Sequence, residues 1–96
     1  MLWRKRKERG LRIPTGQFKM AVEDVFSIKG RGTVVTGKIT LGTISVGDTV
    51  YRGTDKLKVA GLETYRELLQ TASAGMEVGI LLKTSITFVA GDELTK

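Results

Sequence analysis

The sequence contains no cysteine and no histidine, and it has one proline in 96 residues. Disulfide bonds and thiolate metal sites are therefore excluded, and the usual proton-transfer group near neutral pH is missing. The longest apolar stretches, such as Val78 to Leu82, are far shorter than the ~20 residues of a membrane span. Polar and turn residues follow the basic start, so no secretory signal is predicted. We expect a cytoplasmic protein that is not an enzyme and needs no cofactor or metal.

Positive charge is concentrated at the start of the chain. Residues 1–12 contain one acidic residue and six basic residues, Arg4, Lys5, Arg6, Lys7, Arg9 and Arg12, whereas the rest of the chain has nearly balanced charges. We predict a basic, flexible tail over residues 1–16 and one domain over residues 17–96. The tail cations are expected to bind polyanions without selectivity, and a solvated tail without a ligand is the alternative. Met1-Leu2-Trp3 is too short an apolar segment to make a membrane the expected partner.

Alternation of apolar and polar residues predicts β-strands in the body of the chain. One parity of the first strand carries five apolar residues: Phe18, Met20, Val22, Phe26 and Ile28. Period-2 alternation is typical of a strand with one buried face, so this pattern predicts that Phe26 is a core residue. Asp24 falls on the apolar parity. Because an unpaired buried charge is costly, its carboxylate must be hydrogen-bonded, displaced by a bulge, or functional.

Glycine-containing turns separate the strands that follow. A turn at residues 29–32 leads into a strand over Thr33 to Ile39, and Leu41-Gly42 predicts the next turn. After Gly75 the strand pattern returns and extends to Ile86 and Phe88. Short strands with this spacing are typical of a barrel or a sandwich. Residues 63–74 also fit a helical face, and periodicity alone leaves that choice open.

Residues 32–38 match the first seven positions of a phosphate-binding P-loop. The eighth position is Ile39, where a P-loop needs Ser or Thr to hold magnesium. The four intervening residues are β-branched strand formers, whereas a phosphate nest needs a loop followed by a helix. We therefore interpret this run as a strand that leaves a glycine turn.

The run Val22–Ile28, followed by Gly30–Gly37, resembles domain 2 of translation elongation factor Tu. Similarity continues through Gly42-Thr43-Ile44, Val46-Gly47-Asp48, Gly61-Leu62-Glu63, Tyr65-Arg66, Leu68-Leu69, Ala74-Gly75, Val78-Gly79 and Leu81-Leu82. The resemblance covers nearly all of residues 18–95. It implies an all-β fold, a six- or seven-stranded antiparallel Greek-key β-barrel, in which residues 63–74 form strand, turn and strand.

In that family the barrel helps to hold the aminoacylated 3′ end of transfer RNA, in a cleft shared with a GTPase domain. The resemblance implies an aminoacyl pocket at Glu23, Asp24, Phe26 and Thr36, and a pocket for the terminal adenosine at Glu63, Arg66 and Leu81. Phe26 could stack on a base or side chain, Arg66 could stack or reach phosphate, and Glu63 could accept from a 2′-hydroxyl. The alternative is that these residues only maintain strands, with Glu63 and Arg66 as a surface ion pair.

Two departures from the family pattern shape the functional expectation. Glu77 replaces an asparagine that lies near the bound amino acid in the family, and a carboxylate is unfavourable beside RNA. These 96 residues also contain no GTPase domain. We expect a stand-alone binding module that contacts RNA, either a transfer RNA 3′ end or ribosomal RNA, without GTPase activity. The alternative is a protein-interaction or scaffold domain that kept the barrel but not RNA binding, and the oligomeric state is left open.

Overall fold

The computed structural model describes residues 17–65 and 67–96, so the predicted tail and Arg66 lie outside the described residues. The outside residues include the six predicted polyanion-binding cations Arg4, Lys5, Arg6, Lys7, Arg9 and Arg12. The strands of the described part are β1 (Phe18–Ile28), β2 (Gly32–Ser45), β3 (Thr49–Arg52), β4 (Asp55–Glu63), β5 (Leu68–Leu69), β6 (Thr71–Ser73), β7 (Glu77–Leu82) and β8 (Glu93–Thr95). Within these residues no helix is long and apolar enough to span a membrane.

Six of the described strands close into an antiparallel barrel in the order β1, β2, β7, β4, β3, β8, with β8 pairing back to β1. The connection is Greek-key, because β3, β4 and β7 are successive neighbours and β2 lies beside β7. Two short strands extend the barrel: β5 pairs with the end of β4, and β6 pairs with the end of β2. The predicted all-β Greek-key barrel is confirmed, and the described residues of 63–74 form short strands joined by bends, with no helix among them.

The barrel interior is filled by apolar side chains from every barrel strand, from β6 and from the loop that precedes β8. The members that are fully or almost fully buried are Phe18, Met20, Val22, Val35, Ile39, Ile44, Val50, Leu57, Val59, Leu62, Ala72, Val78, Ile80, Leu82, Phe88 and Leu94. Alternate residues of each strand therefore point inward, as the period of a pleated strand requires. Removing this apolar surface from water is the main stabilising contribution in such a small domain.

A β-bulge in β1 changes which residues point inward. Val22 pairs with Gly37 of β2, but Asp24 pairs with Thr36, so Glu23 has no partner of its own in the ladder. The extra residue reverses the alternation after Val22. The prediction that Phe26 is a core residue is wrong for this reason, because its side chain is 54% exposed. Of the three alternatives for Asp24, the bulge is the one that places its side chain outside the core.

Strand β2 runs without interruption through the turn predicted at Leu41-Gly42, so that prediction is wrong. Gly42 has a φ of 77°, which lets the strand bend away from β1 and continue along β6. The strand interpretation of residues 32–38 is confirmed, since these residues pair with β1 on one side and β7 on the other. Their backbone N–H groups therefore belong to a sheet and do not form a phosphate nest.

Residues 83–89 contain no strand, which corrects the prediction of a strand through Ile86 and Phe88. Phe88 is nevertheless buried, and the Arg52 guanidinium lies 4.6 Å from the centre of its ring. The apolar side chains of Ile86 and Phe88 in this loop pack against the core. Their spacing resembles that of a strand, although residues 83–89 are not part of a β-ladder.

Arg52 connects this loop to the β3–β4 hairpin. Its Nη2 donates to Asp55 at 2.8 Å, its Nη1 donates to Asp92 at 3.2 Å, and Nη1 also donates to the Thr87 carbonyl. The carbonyl of Asp92 then accepts from the Val22 amide of β1 at 2.8 Å. Arg52 thereby fixes the loop that leads into β8, the three-residue strand that completes the barrel.

Replacing Gly37 with Ala should destabilise the barrel. A Cβ at Gly37 would lie 2.1 Å from the Ala21 carbonyl oxygen, whereas a Cβ at Gly61 would meet Leu81 at an ordinary 3.6 Å. Overpacking of this kind costs ~1–3 kcal/mol. We expect Gly37→Ala to lower the free energy of unfolding in urea by about that amount and Gly61→Ala to lower it much less. Equal stabilities would show that β1 and β2 separate easily at the bulge.

Acid should weaken the closure of the barrel. The hydrogen bond from Lys96 lowers the pKa of Asp48, and the Val89 amide, followed by Arg52, lowers the pKa of Asp92. Carboxylates with a lowered folded-state pKa stabilise the fold above the unfolded value near ~4, and this contribution is lost as the pH falls below it. We expect the Tm to drop between about pH 5 and pH 2.

The double variant Asp48→Asn, Asp92→Asn should have a lower Tm at pH 7 and a flatter dependence on pH over that range. Glu93→Gln is the matched control, since Glu93 is exposed and forms no ion pair with a described residue. A double variant with an unchanged pH profile would exclude these two carboxylates as the acid-sensitive groups.

Candidate functional site

Two rows of residues cross the outer face of four neighbouring barrel strands. The first row consists of Asp24 on β1, Thr36 on β2, Gly79 on β7 and Glu63 on β4. The second row consists of Phe26, Val34, Leu81 and Gly61 on the same strands. Residues directly opposite each other in a ladder project to the same face. Val35 and Ile80 lie between the two rows and point into the core. We call the surface formed by these two rows the outer cleft.

The outer cleft brings together five of the residues predicted from the sequence: Asp24, Phe26, Thr36, Glu63 and Leu81. Glu23, at the bulge, lies next to the polar row, and Arg66 lies outside the described residues. The bulge is what makes this arrangement possible, because an uninterrupted strand would place Phe26 inside the barrel. The predicted residues therefore share one surface, and their roles in binding stay predictions.

A polar depression of about 310 Å³ lies at one end of the outer cleft. Its lining includes Thr36, Glu63, Thr64, Tyr65 and Glu77. Tyr65 is 89% exposed at the turn that follows β4. Two carboxylate and three hydroxyl side chains therefore line a space that can hold a small polar group.

An apolar depression of about 320 Å³ lies beside it and shares Glu63 and Gly79 with the first. Its walls include Ile28, Val34, Leu68 and Leu81, and Arg31 stands at its rim. Leu68 is 87% exposed, so this apolar surface is open to solvent. Such a combination of apolar walls and a few polar groups is usual for a ligand site.

Because Gly79 has no side chain, no Cβ fills the space between the two depressions. A Cβ at this position would lie 3.2 Å from Val34 Cγ1 and 3.3 Å from Glu63 Cγ. Gly79, Val34 and Leu68 were not among the site residues predicted from the sequence. The alternation of β7 gives no signal for Gly79, because a glycine that makes space has no side chain to contribute to the pattern.

Negative charge accumulates at the polar end of the outer cleft. The pKa of Glu23 is raised, chiefly by the charge of Glu77 and then by partial desolvation, a hydrogen bond with Glu77 and the charge of Asp24, while Lys38 opposes the shift. Lys38 pairs with Glu77 in the ladder between β2 and β7. Among the described residues, one lysine faces more than one carboxylate here, and these described charges favour a cation over an anion at this end of the cleft.

The family model of elongation factor Tu domain 2 matches residues 32–95. The chain belongs to this family. The matched range begins at the start of β2, so the Val22–Ile28 run of the sequence resemblance precedes it. The elongation factor Tu domain 2 fold therefore agrees with the barrel described above.

A solved structure with the same fold is the bacterial selenocysteine-specific elongation factor EF-Sec. The TM-score is 0.77 at 22% sequence identity, over 84% of this chain and 15% of that chain. At this identity the similarity concerns the fold. The present chain spans a small part of the EF-Sec chain.

Replacing Glu77 with Gln should lower the pKa of Glu23 towards its ordinary value. Removing the charge of Glu77 removes the largest cause of the raised value. Carboxyl carbon chemical shifts followed by NMR across a pH series measure this directly. Glu67→Gln, on the turn that follows β4, is the control and should leave the Glu23 titration in place. A Glu23 pKa that does not move in Glu77→Gln would show that the two carboxylates do not interact in solution.

Proposed function

We propose that this domain is a stand-alone, translation-factor-like binding module that holds the 3′ end of an RNA in its outer cleft. It acts in the cytoplasm and does not hydrolyse GTP. The observation that carries the proposal is the arrangement of the two rows of the outer cleft. They bring the exposed ring of Phe26 next to aliphatic side chains and carboxylates. Membership of the elongation factor Tu domain 2 family supports a role in translation. Transfer RNA is the first candidate and ribosomal RNA the second.

The apolar row supplies a surface for a nucleobase. Phe26 exposes half of its side chain, and Val34 and Leu81 follow it across the sheet. Proteins commonly hold the unstacked bases of RNA ends on aromatic rings of this kind. Glu63, at the junction of the two depressions, can accept a hydrogen bond from a ribose 2′-hydroxyl, which is the group that separates RNA from DNA.

The polar end selects what is esterified to the ribose of that terminal nucleotide. Glu77, Glu23 and Glu63 would repel a phosphate, whereas they would attract the protonated amino group of an esterified amino acid. A carboxylate at position 77 is therefore compatible with RNA when the nearest ligand group is an ammonium. We infer that an aminoacylated 3′ end binds more tightly than an uncharged one.

Phe26→Ala should weaken binding of a transfer RNA 3′ end. Loss of one aromatic stacking partner costs ~1–3 kcal/mol, or about 5- to 150-fold in affinity. Fluorescence anisotropy with aminoacylated and uncharged transfer RNA measures this. The background protein should carry Gln at the six basic positions of residues 1–12, so that non-specific attraction is small. Val89→Ala is the matched control, because Val89 is 59% exposed and does not line the cleft.

Glu77→Gln tests the charge argument separately. It should reduce the preference for the aminoacylated end while leaving affinity for the uncharged end unchanged or improved. Folding of each variant is checked by circular dichroism, and GTP hydrolysis by the purified chain should stay at background. Affinities that are the same for Phe26→Ala, Val89→Ala and the parent protein would remove the outer cleft from RNA binding.

Protein docking is a second candidate function for the same surface. The observation that favours it is the apolar depression, where Leu68 is 87% exposed and Ile28 and Val46 are partly exposed. Isolated apolar residues are normal on protein surfaces, but a group around one depression is typical of an interface. A partner captured by the parent protein after nuclease treatment, and lost in Leu68→Ser, would favour docking over RNA binding.

A further inference from the structure

A row of cationic and hydroxyl side chains crosses the barrel surface formed by β1, β8, β3 and β4. Lys19 lies opposite Thr95, Thr95 lies opposite Tyr51, and Tyr51 lies opposite Lys56. The next pair along β3 and β4 is Thr49 with Lys58. We call this set of residues the lysine row.

All members of the lysine row point away from the core. Their sequence neighbours Met20, Val50, Leu57 and Leu94 are buried, and alternation places the row on the opposite face. Strands in a sheet lie about 4.8 Å apart, so the backbone of the row spans roughly 14 Å from β1 to β4. A surface of this width can contact several nucleotides of a strand.

The lysines of the row have no carboxylate partners among the described residues. Lys19, Lys56 and Lys58 are exposed and take part in none of the ion pairs there. Arg52 and Lys96, the cations next to Tyr51 and Thr95 in sequence, are paired instead, Arg52 with Asp55 and Asp92 and Lys96 with Asp48. The nearest carboxylates in sequence, Asp48 and Asp55, are therefore already engaged, and Glu93, two residues before Thr95, is exposed.

An aromatic ring lies within this positive surface. Tyr51 is half-buried between Thr95 and Lys56, and threonine hydroxyls stand on both sides of it. Lysines that track a phosphate backbone, combined with an aromatic ring on which a base can stack, are the usual features of a single-strand binding surface. Hydroxyl groups add hydrogen bonds to phosphate oxygens without reading sequence.

We propose that the lysine row binds the backbone of single-stranded RNA, as a second surface separate from the outer cleft. The two surfaces use different parts of the barrel, because no residue of the row belongs to β2 or β7, and the cleft uses the C-terminal halves of β1 and β4. A membrane surface fits less well, since insertion needs several apolar residues and the row offers Tyr51 alone.

The test compares two triple variants with the same loss of charge, both in full-length protein that carries Gln at the six basic positions of residues 1–12. One variant is Lys19→Gln, Lys56→Gln, Lys58→Gln. The matched control is Lys29→Gln, Lys38→Gln, Lys83→Gln, whose lysines are exposed elsewhere on the barrel. Binding of a fluorescent oligouridine is measured by anisotropy across a salt series, and circular dichroism confirms the fold.

We expect the row variant to bind about tenfold more weakly at low salt, with a log–log salt slope reduced by about 2, since each neutralised phosphate on a single strand contributes about 0.7. The control should change both quantities much less. Tyr51→Leu should weaken binding without changing the slope, and Tyr51→Phe should preserve it. Val89→Ala should leave oligouridine binding intact. The row variant should keep the preference for an aminoacylated transfer RNA end, which Glu77→Gln should reduce, so failure of the cleft and failure of the row are distinguishable.

Equal losses in the two triple variants would overturn the proposal, because they would show that net charge alone sets the affinity. Binding to vesicles containing phosphatidylserine that exceeds binding to oligouridine, and that depends on the same three lysines, would assign the row to membranes and would also overturn it.

Discussion

The contact between β1 and β2 at Gly37 is the constraint on which the rest of the structure depends. With no side chain at Gly37, the two strands approach closely enough for the Ala21 carbonyl to occupy the space of a Cβ. Immediately beyond this point Glu23 is inserted as a bulge. Phe18, Met20 and Val22 before the bulge point into the core, whereas Asp24 and Phe26 after it lie on the surface, so one strand both fills the barrel and builds one wall of the outer cleft.

The charges of the described residues are arranged in two groups with different consequences. Carboxylates gather at the polar end of the outer cleft, where Glu77 raises the pKa of Glu23. Lysines without ion-pair partners among the described residues lie on the surface that begins at Lys19. A near-neutral barrel can therefore attract cationic and anionic ligand groups at different places, which the total charge does not reveal. Local charge is the quantity that decides which charged ligand groups each surface tolerates.

The sequence was sufficient for the fold and for five of the residues that share the outer cleft. Turn glycines and alternation predict an all-β domain, and the similarity to elongation factor Tu domain 2 implies the Greek-key barrel. Alternation places Phe26 in the core, which is wrong because a bulge changes the alternation without changing residue types. Alternation also predicts a strand at Phe88, whereas this ring is covered by the Arg52 guanidinium and lies in a loop. Gly79 and the lysine row depend on which residues lie opposite each other, and that register is set by tertiary pairing.

Closure of the barrel affects the two surfaces unequally. β8 has three residues and is held between β1 and β3 by the loop that Arg52 fixes through Asp92, and by the pairing of Lys96 with Asp48. The lysine row crosses β8 at Thr95, so its geometry requires that this strand stay in place. The outer cleft is built on β1, β2, β7 and β4 and does not include β8. Because short terminal strands open at lower free energy than the core, loosening of β8 would disperse the row while the cleft still kept its shape.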